Sequence, residues 1–322
     1  MNILWFKRDL RIRDNEALAK ASEMGPVLPL YILEPELWNQ PDLSKRHYEF
    51  LTTCLVELDQ ALRTLGQKLI IRIGNSIEIL EEFNQRYRIQ SLWSHQETWN
   101  AWTYERDKAI KQWCKTHNIP WYQPEQNGVK RLLKDRSEWT EDWYNQMKKP
   151  THDAPTKLKY LEERSESLVT ALELGLQEDY VTNVQKGGRN EGLNILKTFL
   201  YERGEGYTRE MSSPLTAFES CSRLSSHLAF GTLSSREVFQ ACNRRLKEIN
   251  KVPRYLKTGW PKTINSFSKR LRWRSHFIQK FECEPRIEFE NLHPAYNSLR
   301  KNNFNEDYFK AWKAGKTGYP MV

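Results

Sequence analysis

Residues 2–15 read NILWFKRDLRIRDN. The first five form a short apolar run, bounded at once by charge, which predicts a buried strand rather than the start of a helix. A dinucleotide-binding fold would place G-x-G-x-x-G after that strand, and WFKRDLRIRDN stands there instead, so a conventional nicotinamide site is disfavoured. Trp5, Arg8, Asp9, Arg11, Asp14 and Asn15 are spaced closely enough to tie this loop together by ion pairs and capping.

Outward from that strand, short apolar runs alternate with helical patterns. PVLPLYIL (26–33), KLIIRI (68–73), IQSLWS (89–94) and IPWYQ (119–123) are the further candidate strands. Between them, residues 43–66 place Phe50, Leu51, Cys54, Leu55, Leu58 and Leu62 at helical spacing, and Gly66 stands where a helix would end. Residues 75–87 and 102–117 read as the next crossover helices. The alternation predicts an α/β domain over residues 1–130, with a five-stranded parallel, Rossmann-like sheet. Residues 131–186, polar and holding Pro150 and Pro155, read as a connector. From Gly187 onward the pattern is helical, so residues 187–322 are expected to form an all-α domain. Within it, Ser234 and Glu237 stand at the spacing of a capping box.

Composition narrows the class. The chain has 322 residues, 39% of them hydrophobic, enough for real cores. No run approaches the roughly 20 apolar residues of a membrane helix, and the amino terminus is too short and charged for a secretory signal. A cytoplasmic monomer with no membrane partner is expected. The five cysteines lack any C-x-x-C pair, so neither a zinc site nor a redox dithiol is indicated, and no metal is expected. A net charge of +9, a pI near 9.2 and 12 tryptophans suit a polyanionic partner with stacking bases, although charge alone marks many proteins that bind nothing anionic.

The stretch FKAWKAGKTGYPMV (309–322) contains Gly-Lys-Thr. A phosphate loop needs a further glycine five residues before the Gly-Lys pair, and Lys310 occupies that place. The preceding residues also read as a polar helix rather than a buried strand.

Four motifs now stand in order: LWFKRDLRIRDNEAL (4–18), CSRLSSHLAFGTLSSREV (221–238), RLRWRSHFIQKFE (270–282) and AWKAGKTGYP (311–320). Together they resemble the photolyase and cryptochrome family over residues 3–322. The resemblance implies a blue-light-dependent flavoprotein, with light-driven electron transfer from reduced FAD to a pyrimidine lesion. It makes GKTGYP a helix-to-helix turn in a flavin domain. The chain resembles the first two-thirds of such a protein and ends before the family's isoalloxazine-binding segment, so the helical domain is expected to be incomplete. A second, antenna chromophore is a further implication, its identity unassigned.

The resemblance assigns roles to particular residues. Cys221, Ser222, Arg223, Leu224 and Ser225 match the segment that holds the FAD phosphates. Read alone, they are better served by ordinary N-capping from Ser222, since serine is so common at an N-cap. Tyr207 matches the tyrosine on the phosphate or adenosine side of the flavin, with a buried structural tyrosine as the alternative. Arg270, Trp273, Arg274 and Phe277 stand at i, i+3, i+4 and i+7 on one helix face. In the family this face lines the lesion cavity, which implies DNA, damaged or single-stranded, as the partner. Trp273 would stack on an extruded base, and Arg274 would contact the flavin side or the DNA backbone. Periodicity alone reads the same face as a basic stripe with a core tryptophan. His276 has no assigned family role and reads as an exposed or partly packed histidine.

Arg270 departs from the pattern. Dimer-repairing members carry a glutamate one turn before the tryptophan, and a guanidinium cannot act as that carboxylic partner. Lyase activity on cyclobutane dimers therefore competes with two alternatives, a light-sensing cryptochrome without repair and a non-enzymatic nucleic-acid-binding fragment.

Overall fold

The computed structural model describes residues 1–178, 181–253, 255, 258–299 and 303–319. Five parallel strands, β1 (Asn2–Phe6), β2 (Val27–Leu33), β3 (Ile70–Ile73), β4 (Ser91–Trp93) and β5 (Trp121–Tyr122), form one sheet in the order β3-β2-β1-β4-β5. All of β1 and β2 is buried, as expected when helices cover both faces of a parallel sheet. Successive side chains divide between those faces. Leu4 and Phe6 join one apolar cluster with Leu18, Leu51, Leu55 and Leu58. Ile3 and Trp5 join the other with Leu80, Phe83, Ile110 and Trp113.

The helices of this region are α1 (Glu16–Glu23), α2 (Pro35–Trp38), α3 (Lys45–Thr64), α4 (Ser76–Tyr87) and α5 (Ala101–Thr116). Asparagines start three of them: Asn15, Asn75 and Asn100 each accept a backbone N–H of the following turn. Helix α3 ends as the sequence indicates. Gly66, at φ +96°, donates to Arg63, and Gln67 donates to Leu62, the paired bonds of a left-handed helix stop.

The polar segment 131–186 is built into the fold more than its composition suggests. It contains α6 (Trp139–Lys148), whose Trp139, Trp143 and Met147 are buried in the helical core. Further on, Ser165 Oγ accepts from Ile71 N (2.9 Å), and Glu166 N donates to Ile71 O (3.0 Å). The segment thus covers β3, an edge strand that would otherwise offer unpaired backbone to another chain.

Helices follow: α7 (Arg189–Thr198), a π turn at Phe199–Arg203, α8 (Tyr207–Glu210), α9 (Ala217–Ser220), α10 (Ser225–Ala229), α11 (Ser235–Asn250) and α12 (Trp260–Cys283). Phe199, Tyr207, Leu228, Val238, Phe239, Ile264, Phe267 and Leu271 form their core. Ser234 and Glu237 make the expected capping box at the start of α11. Among the described residues no strand follows β5, so an α/β region leads into a helical one.

Residues 284–322 form a second compact unit. Its helix α13 (Glu306–Lys313) stops at Gly315, φ +66°, which donates to Trp312 while Lys316 donates to Ala311. Gly-Lys-Thr is therefore a helix stop, not a phosphate loop. Pro320, the last residue of the GKTGYP turn, lies outside the described residues.

Candidate functional site

The first and second sequence motifs meet. The loop after β1 docks on the turn after α10: Leu10 N donates to Phe230 O (3.2 Å), Arg8 Nε to Ala229 O (2.8 Å) and Arg11 Nη1 to Gly231 O (2.9 Å). The Asp14 carboxylate accepts from Arg236 (2.8 Å) and from Ser234 Oγ. Gly231, at φ +70°, is required here, since a Cβ would stand 2.2 Å from the Arg8 carbonyl oxygen. Asn15 donates to the carbonyls of Asp9 and Arg11 while capping α1. The loop is tied by capping and ion pairs, and it also carries the contact to the helical region.

At the carboxyl ends of β1, β2 and β4 lies a buried ionic network that the sequence analysis did not identify. Arg106 pairs with Glu34 (2.7 Å), Glu97 (2.6 Å) and Asp107 (2.9 Å), and Lys7 pairs with Asp107 (3.0 Å). Trp5 lies beneath the Arg106 guanidinium at 4.7 Å. Burial raises the Glu34 carboxyl against the pull of Arg106. Burial would also raise Asp107, but Lys7 and Arg106 hold it below the usual carboxylate range. The available signal was a charged residue directly after two of the strands, Lys7 after β1 and Glu34 after β2. Beside the network, Pro35, Gly74, Ile77, Trp102 and Arg106 line a cleft of about 450 Å³.

In the second motif, Leu224 is buried, Cys221, Ser222 and Arg223 are half-buried, and Ser225 is exposed. Ser222 does not cap α10. The cap position is Leu224, without a side-chain bond, and Ser222 Oγ lies 3.5 Å from Leu224 N. Arg223 has φ +60° and Leu224 has φ −89°, ψ −1°. A left-handed residue followed by a right-handed one turns successive N–H groups to one side, forming a concavity suited to an anion. The carbonyls of this segment are engaged elsewhere, those of Glu219, Cys221 and Ser222 by Arg203 and that of Arg223 by Gln185 (2.6 Å). The Arg223 guanidinium stacks 3.7 Å from the Phe218 ring. Burial raises the Cys221 thiol, while Arg203 and Arg223 pull it down.

Tyr207 is 7% exposed, edge-on to Phe199 at 5.7 Å and to Phe267 at 6.2 Å. Burial raises its phenol, and the neighbouring Arg270 opposes that shift.

The face of α12 divides. Trp273 (49% exposed) and Phe277 (58%) form a surface aromatic pair with rings 5.8 Å apart, and Arg270 is exposed beside them. Arg274 turns away, donating to Leu228 O (2.9 Å) and Asn127 Oδ1 (3.2 Å). Burial, with a smaller contribution from Arg8, pushes its guanidinium down to about 10. Arg8, Gln96, Thr98, Asn127, Arg274 and Phe277 line a cleft of about 410 Å³. His276 packs against Trp273 and accepts from Arg136 (3.0 Å). Among the described residues no cluster of His, Cys, Asp or Glu is arranged for a metal ion, and no helix is long and apolar enough to cross a membrane.

Comparison with known proteins matches residues 2–131 to the family described as DNA photolyase and residues 267–322 to the FAD binding domain of DNA photolyase. Cryptochrome-1 of Arabidopsis thaliana is 27% identical over 350 residues, covering all of this chain and 49% of the relative. The deoxyribodipyrimidine photo-lyase of Halobacterium salinarum is 24% identical over 348 residues, covering all of this chain and 69% of the relative. The chain spans 49% to 65% of the length of the first curated relatives it matches. A solved archaeal photolyase from Sulfolobus tokodaii, with two FAD molecules, superposes with a TM-score of 0.74 at 26% identity, over all of this chain and 68% of that one.

Proposed function

Because the chain belongs to the photolyase and cryptochrome family, we propose that it is a blue-light-dependent flavoprotein, photolyase-like in acting on a pyrimidine lesion in DNA. The observation that carries the reading is the Cys221–Ser225 segment. Its carbonyls are drawn back by Arg203 and Gln185, and its left-handed turn presents N–H groups, which suits the anionic pyrophosphate of FAD. Ser222, Arg223 and Ser225 would hold the phosphates, Cys221 would border them, and Leu224 anchors the segment in the core. Tyr207, buried behind Arg270, would support the same wall. FAD, when bound, supplies the light-driven electron, and the protein's part is to hold and orient.

On the α12 face, Trp273 and Phe277 offer an apolar ledge on which an extruded base can stack, offsetting part of the few kcal/mol that extrusion costs. Arg270 supplies the cation beside it, suited to a phosphate. Arg274 acts from behind, fixing α12 to Leu228 and Asn127 rather than reaching DNA. The cleft beside Trp102 is where we place a second, antenna chromophore, supported by the two FAD molecules of the Sulfolobus relative. Five free thiols suit a cytoplasmic address.

Arg270 favours a second reading, a light-sensing cryptochrome without repair, because no carboxylate occupies that place on the tryptophan face. The test is illumination of the FAD-supplemented protein with a dimer-containing oligonucleotide. Restoration of intact pyrimidines under blue light and not in darkness supports the photolyase reading. Flavin binding and photoreduction without repair supports the cryptochrome reading, and absence of flavin binding refutes both.

A further inference from the structure

Arg203 belongs to no motif singled out in the sequence, yet its guanidinium organises the segment on which the flavin reading rests. It sits at the end of the π turn Phe199–Arg203, a local widening of the helix often associated with function. The turn is closed by Gly204 N donating to Phe199 O. It needs glycine at 204, where a Cβ would stand 2.2 Å from that same oxygen. Its effect is to carry Arg203 across to the loop 219–222.

There the side chain is used up. Nη1 donates to Glu219 O (2.8 Å) and to Cys221 O, Nη2 to Ser222 O (2.9 Å) and Ile195 O (3.3 Å), and Nε to Thr198 Oγ1 (3.2 Å). A guanidinium has five N–H donors, and each has an acceptor here, four of them backbone carbonyls. Among the described residues no carboxylate lies within ion-pair distance of it. No donor is left for a ligand, so Arg203 can act on one only through the backbone it holds.

The consequence for that backbone is directional. A peptide whose carbonyl is fixed toward one side presents its N–H toward the other. Arg203 fixes the peptides after Cys221 and Ser222, and Gln185 fixes the next one. The left-handed turn at Arg223 is thereby held in place, against the strain that such a conformation imposes on a residue with a Cβ.

We infer that Arg203 is the positioning residue of the flavin-phosphate segment, holding the carbonyls of Glu219, Cys221 and Ser222 back so that the following N–H groups face an anionic phosphate. The inference rests on the proposed flavin function and deepens it. It separates two physical effects. A fork that holds several carbonyls at once requires arginine, whereas a general positive field would be supplied equally by lysine.

The experiment titrates FAD and riboflavin into the wild-type chain and into Arg203→Lys and Arg203→Ala, following flavin fluorescence, with thermal unfolding as a fold control. Riboflavin shares the ring and lacks the pyrophosphate and the adenosine, so the ratio of the two dissociation constants reports the phosphate and adenosine side of the site, and the change in that ratio between wild type and variant isolates what Arg203 holds there. The expected result is a preference for FAD in the wild type that falls tenfold or more in Arg203→Lys, with riboflavin affinity within twofold. Arg203→Ala should behave the same way, and if it does not fold, Arg203→Lys carries the test. A lysine variant that keeps the wild-type ratio overturns the fork. Equal loss of FAD and riboflavin overturns a role specific to phosphate. A wild type with no preference for FAD removes the flavin-phosphate reading, and this inference with it.

Discussion

His227 makes a quantitative demand on the fold. Its ring is fully buried, edge-on to Phe50 at 5.1 Å, with Nδ1 3.0 Å from Thr232 Oγ1 and Nε2 without a partner. Burial pushes its pKa down to about 4, with a small opposing effect from the Gly188 backbone. The folded state therefore prefers the neutral ring, and the unfolded chain binds the proton more readily, near the ordinary value of about 6.5. Stability is complete above that value and falls as pH drops toward about 4. Proton linkage with these two values gives a loss of about 2 kcal/mol between pH 7 and pH 5, approaching about 3 kcal/mol near pH 4. Against a typical total of about 5–15 kcal/mol, this is a measurable share. The assay is urea unfolding at half-unit pH steps in the wild type and in His227→Phe, which removes the titration while keeping an aromatic ring. Carboxylates titrate in both proteins, so the difference between the curves isolates His227. The two curves should converge toward acid as the wild type loses its advantage. Parallel curves from pH 7 to pH 5 would refute the reasoning, as would a directly observed His227 titration near 6.5.

Gly231→Ala places a Cβ against the Arg8 carbonyl in a left-handed backbone, so it should cost at least about 2 kcal/mol and lower the melting temperature by about 5 °C; an unchanged melt would show that the docked loop yields. Arg270→Ala should flatten the salt dependence of single-stranded DNA binding by about one unit, whereas Arg274→Ala, bonded inward to Leu228 and Asn127, should lower stability and leave the slope alone. A reversed pattern in the slopes would exchange their roles. In the flavin-loaded protein, Arg270→Glu should raise the yield of dimer repair by about ten- to a hundredfold, the worth of one hydrogen bond strengthened in the transition state; equal, negligible repair by both proteins supports the cryptochrome reading instead.

What the sequence reveals and conceals here follows from the range of the interactions. Strand β1, the stop at Gly66 and the Ser234–Glu237 box depend on residues within a turn or two of each other, and the structure places them where local pattern does. The contacts that shape the candidate site are remote. Arg11 and Gly231 are 220 positions apart, and Lys7 and Asp107 are 100 apart, so no window along the chain contains both partners. Segment 131–186 misleads for a related reason. Its Trp139 and Trp143 are apolar islands in a polar stretch, and only the helical core they enter shows that α6 is more than a connector. Helical periodicity correctly groups Arg270, Trp273, Arg274 and Phe277 on one face, but it locates α-carbons rather than the tips of long side chains. Arginine can swing its charge several ångströms from its own face, and Arg274 does so, toward a carbonyl and an amide on segments that sequence spacing does not connect to it. For the same reason Arg203, four of whose five donors end on backbone carbonyls, leaves no pattern in the sequence at all. A backbone carbonyl has no residue identity to read, so a residue that works by binding carbonyls becomes visible only when the chain is folded around it.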